Sequence, residues 1–255
     1  METLTLNGYT AVPYCGVAPL PTELLSRWNL DPWLIAALIV FAAYGMSRTR
    51  HDGRARTALG VALALLIVVF ISPLCALASA LFSARVAHHV LLIAAVAPLL
   101  ALAMSARRPL GHTTLTLSLT PIALVHAIIL WIWHIPAPYR FALSSDVGYW
   151  LMQVSLLGSA YALWRAVLSP ATASGAAILA LLGTLFQMGL LGALLVFAPR
   201  ALFTPHLGVT LPFGLTELQD QQLAGLLMWV PAMLPYLFVA LVTSARWIRS
   251  SAPAT

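Results

Sequence analysis

Imidazole, thioether, thiol and amide side chains gather in a few places along this 255-residue chain. His88 and His89 are adjacent, and His126 and His134 follow. His206 stands in a Pro- and Gly-rich stretch, Met188 follows Gln187, and Asp220 leads Gln221 and Gln222. A seven-residue spacing is two helical turns, so on helices Gln221 shares a face with Met228, and His126 with Trp133. Imidazole combined with thioether or thiolate suits copper in either oxidation state better than it suits magnesium or calcium. The candidate metal-ligating residues are therefore His89, His126, His134, Asp220, Met188, Met228 and His88. Copper is the candidate metal. Its uptake by neutral imidazoles should weaken below about pH 6.

Each of these residues also has a purely structural reading. His134 closes the run Trp131-Ile132-Trp133, where amphipathic rings anchor a helix at a membrane interface. His88 and His89 diverge by about 100° on a helix, so one of them reads as a headgroup or loop contact. Methionines in apolar helices are usually filler. Asp220 with Gln221 and Gln222 reads equally as the cap of its own helix. His126 stands out because it lies mid-helix, where an unpaired imidazole is costly. Cys15 and Cys75 have no zinc-type spacing; their apolar context reads as packing, with one disulfide as the alternative.

The elements that carry these residues follow from composition. The chain is 61% hydrophobic and 8% charged, against about 25% charged for a soluble domain. A bilayer removes the conflict by solvating the outside of a helix bundle. Seven stretches reach spanning length: Pro32–Ser47, Thr57–Ser79, Val86–Ala106, Thr113–Trp133, Val147–Leu168, Ala173–Phe197 and Leu218–Trp247. The last is long enough to tilt or to break near Pro231 and Pro235. The expected fold is all-α, a polytopic bundle of about seven transmembrane helices in one domain: an external arm over 1–30, the bundle over 31–247 and a tail over 248–255. No signal peptide is evident in the first 25 residues, which carry Glu2, Pro13, Pro19, Pro21 and Glu23.

Every basic residue other than histidine is Arg. Arg48, Arg50, Arg54, Arg56, Arg107, Arg108, Arg165, Arg246 and Arg249 fall on one side of the alternating spans, and Arg27, Arg85, Arg140 and Arg200 on the other. The positive-inside rule makes the first side cytoplasmic, with the N-terminus outside and the C-terminus inside. His88, His89, His126, His134, His206 and Asp220 then lie at or below the outer surface, and His51 and His112 on the cytoplasmic side. The arginines are scattered singly, which argues against nucleic-acid binding. Without Lys there is no Schiff base for retinal. No GxxxxGK[ST], GxSxG or HExxH is present, so nucleotide and hydrolase chemistry have no footing and no enzyme is expected.

Several pieces of the chain resemble the CtaG family of polytopic cytochrome c oxidase assembly factors. They are Trp28-Asn-Leu-Asp-Pro32, Ser72-Pro-Leu74, the stretch from His126 through Trp131-Ile-Trp-His-Ile-Pro136 to Tyr139, Met188 to Arg200, and Asp220-Gln-Gln-Leu-Ala-Gly-Leu-Leu-Met-Trp-Val-Pro231. The resemblance implies a multi-pass protein of the bacterial inner membrane that handles or delivers copper for a haem–copper oxidase subunit at the periplasmic side. The chain departs from the family pattern twice. A Ser-Ala-His-Met-x-Gln-His motif is replaced by Ser83-Ala-Arg85-Val-Ala-His88-His89, and a Glu-His pair by Met152 and Gln153. His89, His126, His134 and Asp220 are the matching positions that survive. Two other classes are weighed beside this one. A haem-b electron carrier would use paired imidazoles such as His89 and His126. A copper or proton transporter would need polar groups in the cytoplasmic half as well.

Overall fold

A computed structural model describes residues 12–105 and 118–251. Glu2, Arg107, Arg108 and His112, and the start of the expected fourth span, lie outside the described residues. The described chain is helical, and its helices are α1 (Pro32–Thr49), α2 (Gly53–Phe70), α3 (Leu74–Ala80), α4 (Phe82–Val90), α5 (Ala97–Ser105), α6 (Leu119–Trp133), α7 (Pro136–Leu143), α8 (Asp146–Val167), α9 (Ser174–Phe197), α10 (Glu217–Trp229) and α11 (Leu234–Ser251). A π-helical stretch, Leu91–Val96, joins α4 to α5, and a single 3₁₀ turn, Pro231–Met233, joins α10 to α11.

Among the described residues, five segments are long and apolar enough to cross a membrane: α1, α2, the continuous Phe82–Met104, α9, and Glu217–Ser251 with its break at Pro231. A sixth is reached if α6 and α7, bent by 76° at the His134–Ile135 joint, form one broken span. The chain is thus an all-α, polytopic membrane protein. The remaining expected span, Val147–Leu168, exists as the uninterrupted 22-residue α8, roughly 33 Å long at 1.5 Å per residue. Its composition is less apolar because Gln153, Ser155, Ser159 and Arg165 replace aliphatic residues, and the two serines serve partners on α6.

Local chemistry sets most helix starts. Asp31 accepts from Trp33 N at the head of α1, with Pro32 at the first helical position. Asp52 caps α2 through Ala55 N, Ser145 caps α8 through Gly148 N, and Thr216 with Gln219 forms a capping box on α10. Asp220 therefore does not cap its own helix. The expected second span ends early, at Phe70, and Ser72-Pro73 turns the chain into α3. The third begins at Phe82, four residues before the expected start. Arg85, His88 and His89 consequently sit within the helix rather than at its outer end.

Cys15 and Cys75 form a disulfide, which settles their pairing in favour of the alternative. Packing brings them together: Tyr14 stacks on Tyr149 at 4.7 Å and its hydroxyl donates to Asp31, holding the arm over the end of the bundle. That bond holds the Asp31 carboxyl below its ordinary range. Asn29 adds two bonds, from its N to Ile71 O and from Nδ2 to Phe70 O. The bridge closes a sequence separation of 60 residues, for which the chain-entropy account gives about 4 kcal/mol. Cys75→Ser should lower unfolding stability by up to about that amount, in denaturant titrations of the detergent-solubilised protein under oxidising conditions. Equal stability with and without reductant would show that the bridge constrains nothing.

Candidate functional site

The site is built on α4, the first part of the most enclosed of the spanning segments. A helix N-terminus inside protein needs acceptors for its free N–H groups. Leu81, the residue preceding α4, has no side chain to supply one. Asp220 reaches across from α10 and does so: Phe82 N donates to Oδ2 at 2.6 Å, Ser83 N to Oδ1 at 3.1 Å, and Ser83 Oγ to Oδ1 as well. A carboxylate at the positive end of a helix is also favoured by the dipole. The next two residues work on the opposite pole of α9. Gln221 Nε2 donates to Leu195 O and Arg200 O, its Oε1 accepts from Leu202 N, and Gln222 Nε2 donates to Val196 O. The run Asp220-Gln221-Gln222 is therefore a clamp that satisfies the head of α4 and the tail of α9 from one turn of α10.

So positioned, α4 carries Arg85, His88 and His89 into the interior, and all three are buried. The expectation that one of the two histidines meets headgroups or a loop is corrected. Helices surround α4, so two side chains 100° apart both face protein. The Arg85 guanidinium lies over the Tyr149 ring, 5.3 Å from its centre, beside the phenol of Tyr139. His88 packs edge-on against Phe70 at 5.3 Å, with Gln153 beside it. His89 meets His88 at 5.8 Å and His134 at 6.0 Å between ring centres.

His134 sits at the α6–α7 bend and is buried, not a surface anchor. Its Nδ1 lies 2.7 Å from Leu130 O. A carbonyl only accepts, so the proton is on Nδ1 and Nε2 keeps its lone pair. This is the tautomer, fixed by a backbone carbonyl, that metal-binding histidines commonly show. His126 follows the same logic farther along α6, about 12 Å by helical rise. Ser159 Oγ donates to Leu156 O, so it accepts from His126 Nδ1 at 2.9 Å. One rung away, Trp133 Nε1 donates to Ser155 Oγ, and on another face Trp131 Nε1 donates to Gln187 Oε1. His126 is thus part of the α6–α8 seam.

The structure therefore brings His88, His89 and His134 into one cluster with Arg85 and Gln153. It does not bring the seven candidates to one point. Among the described residues no group of three His, Cys, Asp or Glu side chains is placed to hold a metal ion. Asp220 has both oxygens engaged, and Met188 and Met228 are buried in the main core. His206 is a clamp as well. Its Nδ1 donates to Ala80 O at 3.2 Å, its Nε2 accepts from Tyr139 Oη at 2.7 Å, and burial pushes its imidazole down to about 4.

What distinguishes the cluster is its unspent bonding capacity. Among the described residues, no hydrogen bond of good geometry is closed by the three guanidinium nitrogens of Arg85, although the Tyr139 and Tyr149 phenols stand beside them. The same holds for both ring nitrogens of His88, which has Gln153 beside it, for those of His89, for His134 Nε2, and for both amide atoms of Gln153. Buried polar groups are normally paired, and a concentration of unpaired ones marks a place where a ligand, ion or water makes up the bonds. Of the residues at the two departures from the family pattern, Arg85, His88 and Gln153 belong to this cluster and Met152 to the main core. The types of Arg85 and Gln153 made them look like losses from the cluster, and their full burial could not be read from the sequence.

Residues 38–250 match the family of cytochrome c oxidase caa3 assembly factors. No curated protein and no solved structure matches the chain.

Proposed function

The chain belongs to the cytochrome c oxidase caa3 assembly factor family, and from that premise we propose that it hands copper to an oxidase subunit at the periplasmic side of a bacterial inner membrane. The family match over residues 38–250 carries the assembly role. The reading is of a non-catalytic factor that meets its client within the bilayer.

The orientation rests on two independent supports. Arg48, Arg50, Arg54 and Arg56 crowd the α1–α2 turn, which the positive-inside rule places in the cytoplasm. The Cys15–Cys75 bridge lies where the arm meets α3, and disulfides persist in oxidising compartments such as the periplasm. The Arg85–His88–His89–His134 cluster is on the side of that bridge, because Tyr149 lies under the Arg85 guanidinium and its hydroxyl is 3.6 Å from Cys15 Sγ.

Copper enters as cargo. His134 Nε2 and a nitrogen of His89 would take one ion between them, a two-imidazole set that suits an exchangeable site better than a closed structural one. Arg85 bears on the oxidation state. Its charge repels a divalent ion twice as strongly as a monovalent one at equal distance, so the set favours cuprous over cupric copper. The test is copper content after cuprous loading of the purified protein. Wild type should retain copper, His89→Ala and His134→Ala should lose most of it, and His126→Ala should keep it. Equal, near-zero copper in all four removes the cargo reading and leaves the assembly role. That role is tested separately by oxidase activity, and copper in the isolated oxidase, in a deletion strain.

A further inference from the structure

A lateral cleft runs between α1 and α8. Helix α1 packs on α2 and α5, and its other flank stands off from α8. Two adjoining cavities, of about 520 and 450 Å³, fill the gap and share Phe41, Leu100, Val154 and Leu157. These four make the shared stretch apolar. The ends differ. One reaches Trp150 and Gln153, and the other is lined by Arg48 and Arg165 with Tyr44 and Tyr161.

The cationic end is built for an anion. Arg165 Nη1 donates to Tyr161 Oη at 3.3 Å, and its guanidinium lies 5.9 Å from the centre of that ring, which holds it in place. No carboxylate lines this end, and the one salt bridge among the described residues is Arg27–Glu23. Two guanidiniums at one end of the cleft, with its one lining carboxylate, Asp31, at the other, attract a phosphodiester, which accepts several N–H donors at once. From Val154 to Arg165, α8 rises about 16 Å, close to the roughly 15 Å hydrocarbon depth of one leaflet. Gly158 lies on the wall, and a Cβ there would meet nothing within 4 Å. The cleft therefore has the length of an acyl chain, an apolar wall and a paired-arginine terminus.

We infer that the α1–α8 cleft is a binding site for one anionic phospholipid, its phosphate on Arg48 and Arg165 and an acyl chain along Leu157 and Val154. The arginines would repel the ammonium of a zwitterionic headgroup, so the site discriminates by net charge. Basic pockets between spanning helices recognise lipid headgroups on this principle. The headgroup end of the cleft is separate from the histidine cluster, which the cleft meets only at Gln153, and the proposal does not rest on the assembly role.

Native mass spectrometry of the full chain, released from nanodiscs of equal phosphatidylglycerol and phosphatidylcholine, tests this. Wild type should retain one phosphatidylglycerol in preference to phosphatidylcholine. Arg48→Gln with Arg165→Gln should cut that retention about tenfold or more and leave phosphatidylcholine unchanged. Gly158→Leu keeps both arginines and improves helix propensity, yet should abolish retention of either lipid by filling the cleft. Equal retention of the two lipids by wild type would mean only bulk lipid, and overturns the proposal. So would unchanged phosphatidylglycerol in the double variant, or displacement of the lipid by millimolar inorganic phosphate alone. A dimer broken by Gly158→Leu, with no lipid retained, would instead assign the cleft to a second copy of the chain.

Discussion

Asp220→Ala should cost about 3 kcal/mol of stability, because it strips a buried helix head of its acceptors. Three donors converge on this carboxylate: Phe82 N, Ser83 N and Ser83 Oγ. Leu81 gives α4 no local substitute. Water does not readily replace the lost acceptor, since Phe82, Ser83 and Asp220 are all buried. Asp220→Asn should fall between, since the amide keeps one oxygen and turns its other end, an N–H₂, toward a backbone donor. The measurement is denaturant or thermal unfolding in one detergent, with oxidase activity followed in cells. Loss of the cap would let the first turn of α4 fray, and that turn positions Arg85, His88 and His89. Oxidase assembly should therefore fall with stability. Leu81→Ser separates cap from ligand: it installs a local cap and should recover part of the loss in the Asp220→Ala background. A metal-ligand role makes a different forecast, in which Asp220→Ala leaves stability at the wild-type value, lowers bound copper and gains nothing from Leu81→Ser.

That contrast shows how much of the site was legible beforehand. Spans could be read because their signal is local: apolar length, with Pro231 marking a break, whereas the caps Asp31 and Asp52 appear only in the structure. The break at Pro231 falls where the sequence places it. The run Asp220-Gln221-Gln222 was visible as distinctive, and its capping character too, but not which helices it caps. The donors are Phe82 and Ser83 on one side and the carbonyls of Leu195 and Val196 on the other, far away in the chain. The same limit applies to His88 and His89. Their divergence around the helix is certain from geometry, but whether either meets lipid depends on what surrounds α4. His126 was singled out for being mid-helix; its Nδ1 is met by Ser159, a residue with no signal of its own, while its buried Nε2 closes no hydrogen bond among the described residues. Cys15 and Cys75 could not be paired from spacing, because the arm is held over the bundle by Tyr14 on Tyr149 and by Asn29 on Phe70 and Ile71, contacts between residues far apart in the chain.

Replacing Gly225 should be the most damaging single change in the α9–α10 pair. A Cβ at Gly225 would stand 2.6 Å from Gly192 O, 2.7 Å from Val196 Cγ2 and 3.0 Å from Leu195 Cβ. The nearest obstacle is backbone and cannot rotate aside, so the two helices must separate. The relation is mutual, as a Cβ at Gly192 would lie 2.8 Å from Gly225 O. In a bilayer, helix association depends on close backbone approach and van der Waals contact, so small residues at a crossing carry the packing. Separation would also draw Gln221 and Gln222, one turn away on α10, off the carbonyls at the end of α9. Gly225→Ala is therefore expected to cost about 2–3 kcal/mol, and Gly225→Leu to leave little folded protein by size-exclusion chromatography. Gly183 is the matched control. It lies on the same α9, a Cβ there meets nothing within 4 Å, and Gly183→Ala should be neutral or slightly stabilising through helix propensity alone. If Gly225→Ala melts with Gly183→Ala and wild type, backbone contact at the crossing does not hold α10 in place. The clamp formed by Asp220, Gln221 and Gln222 would then have to position α10 by its hydrogen bonds alone.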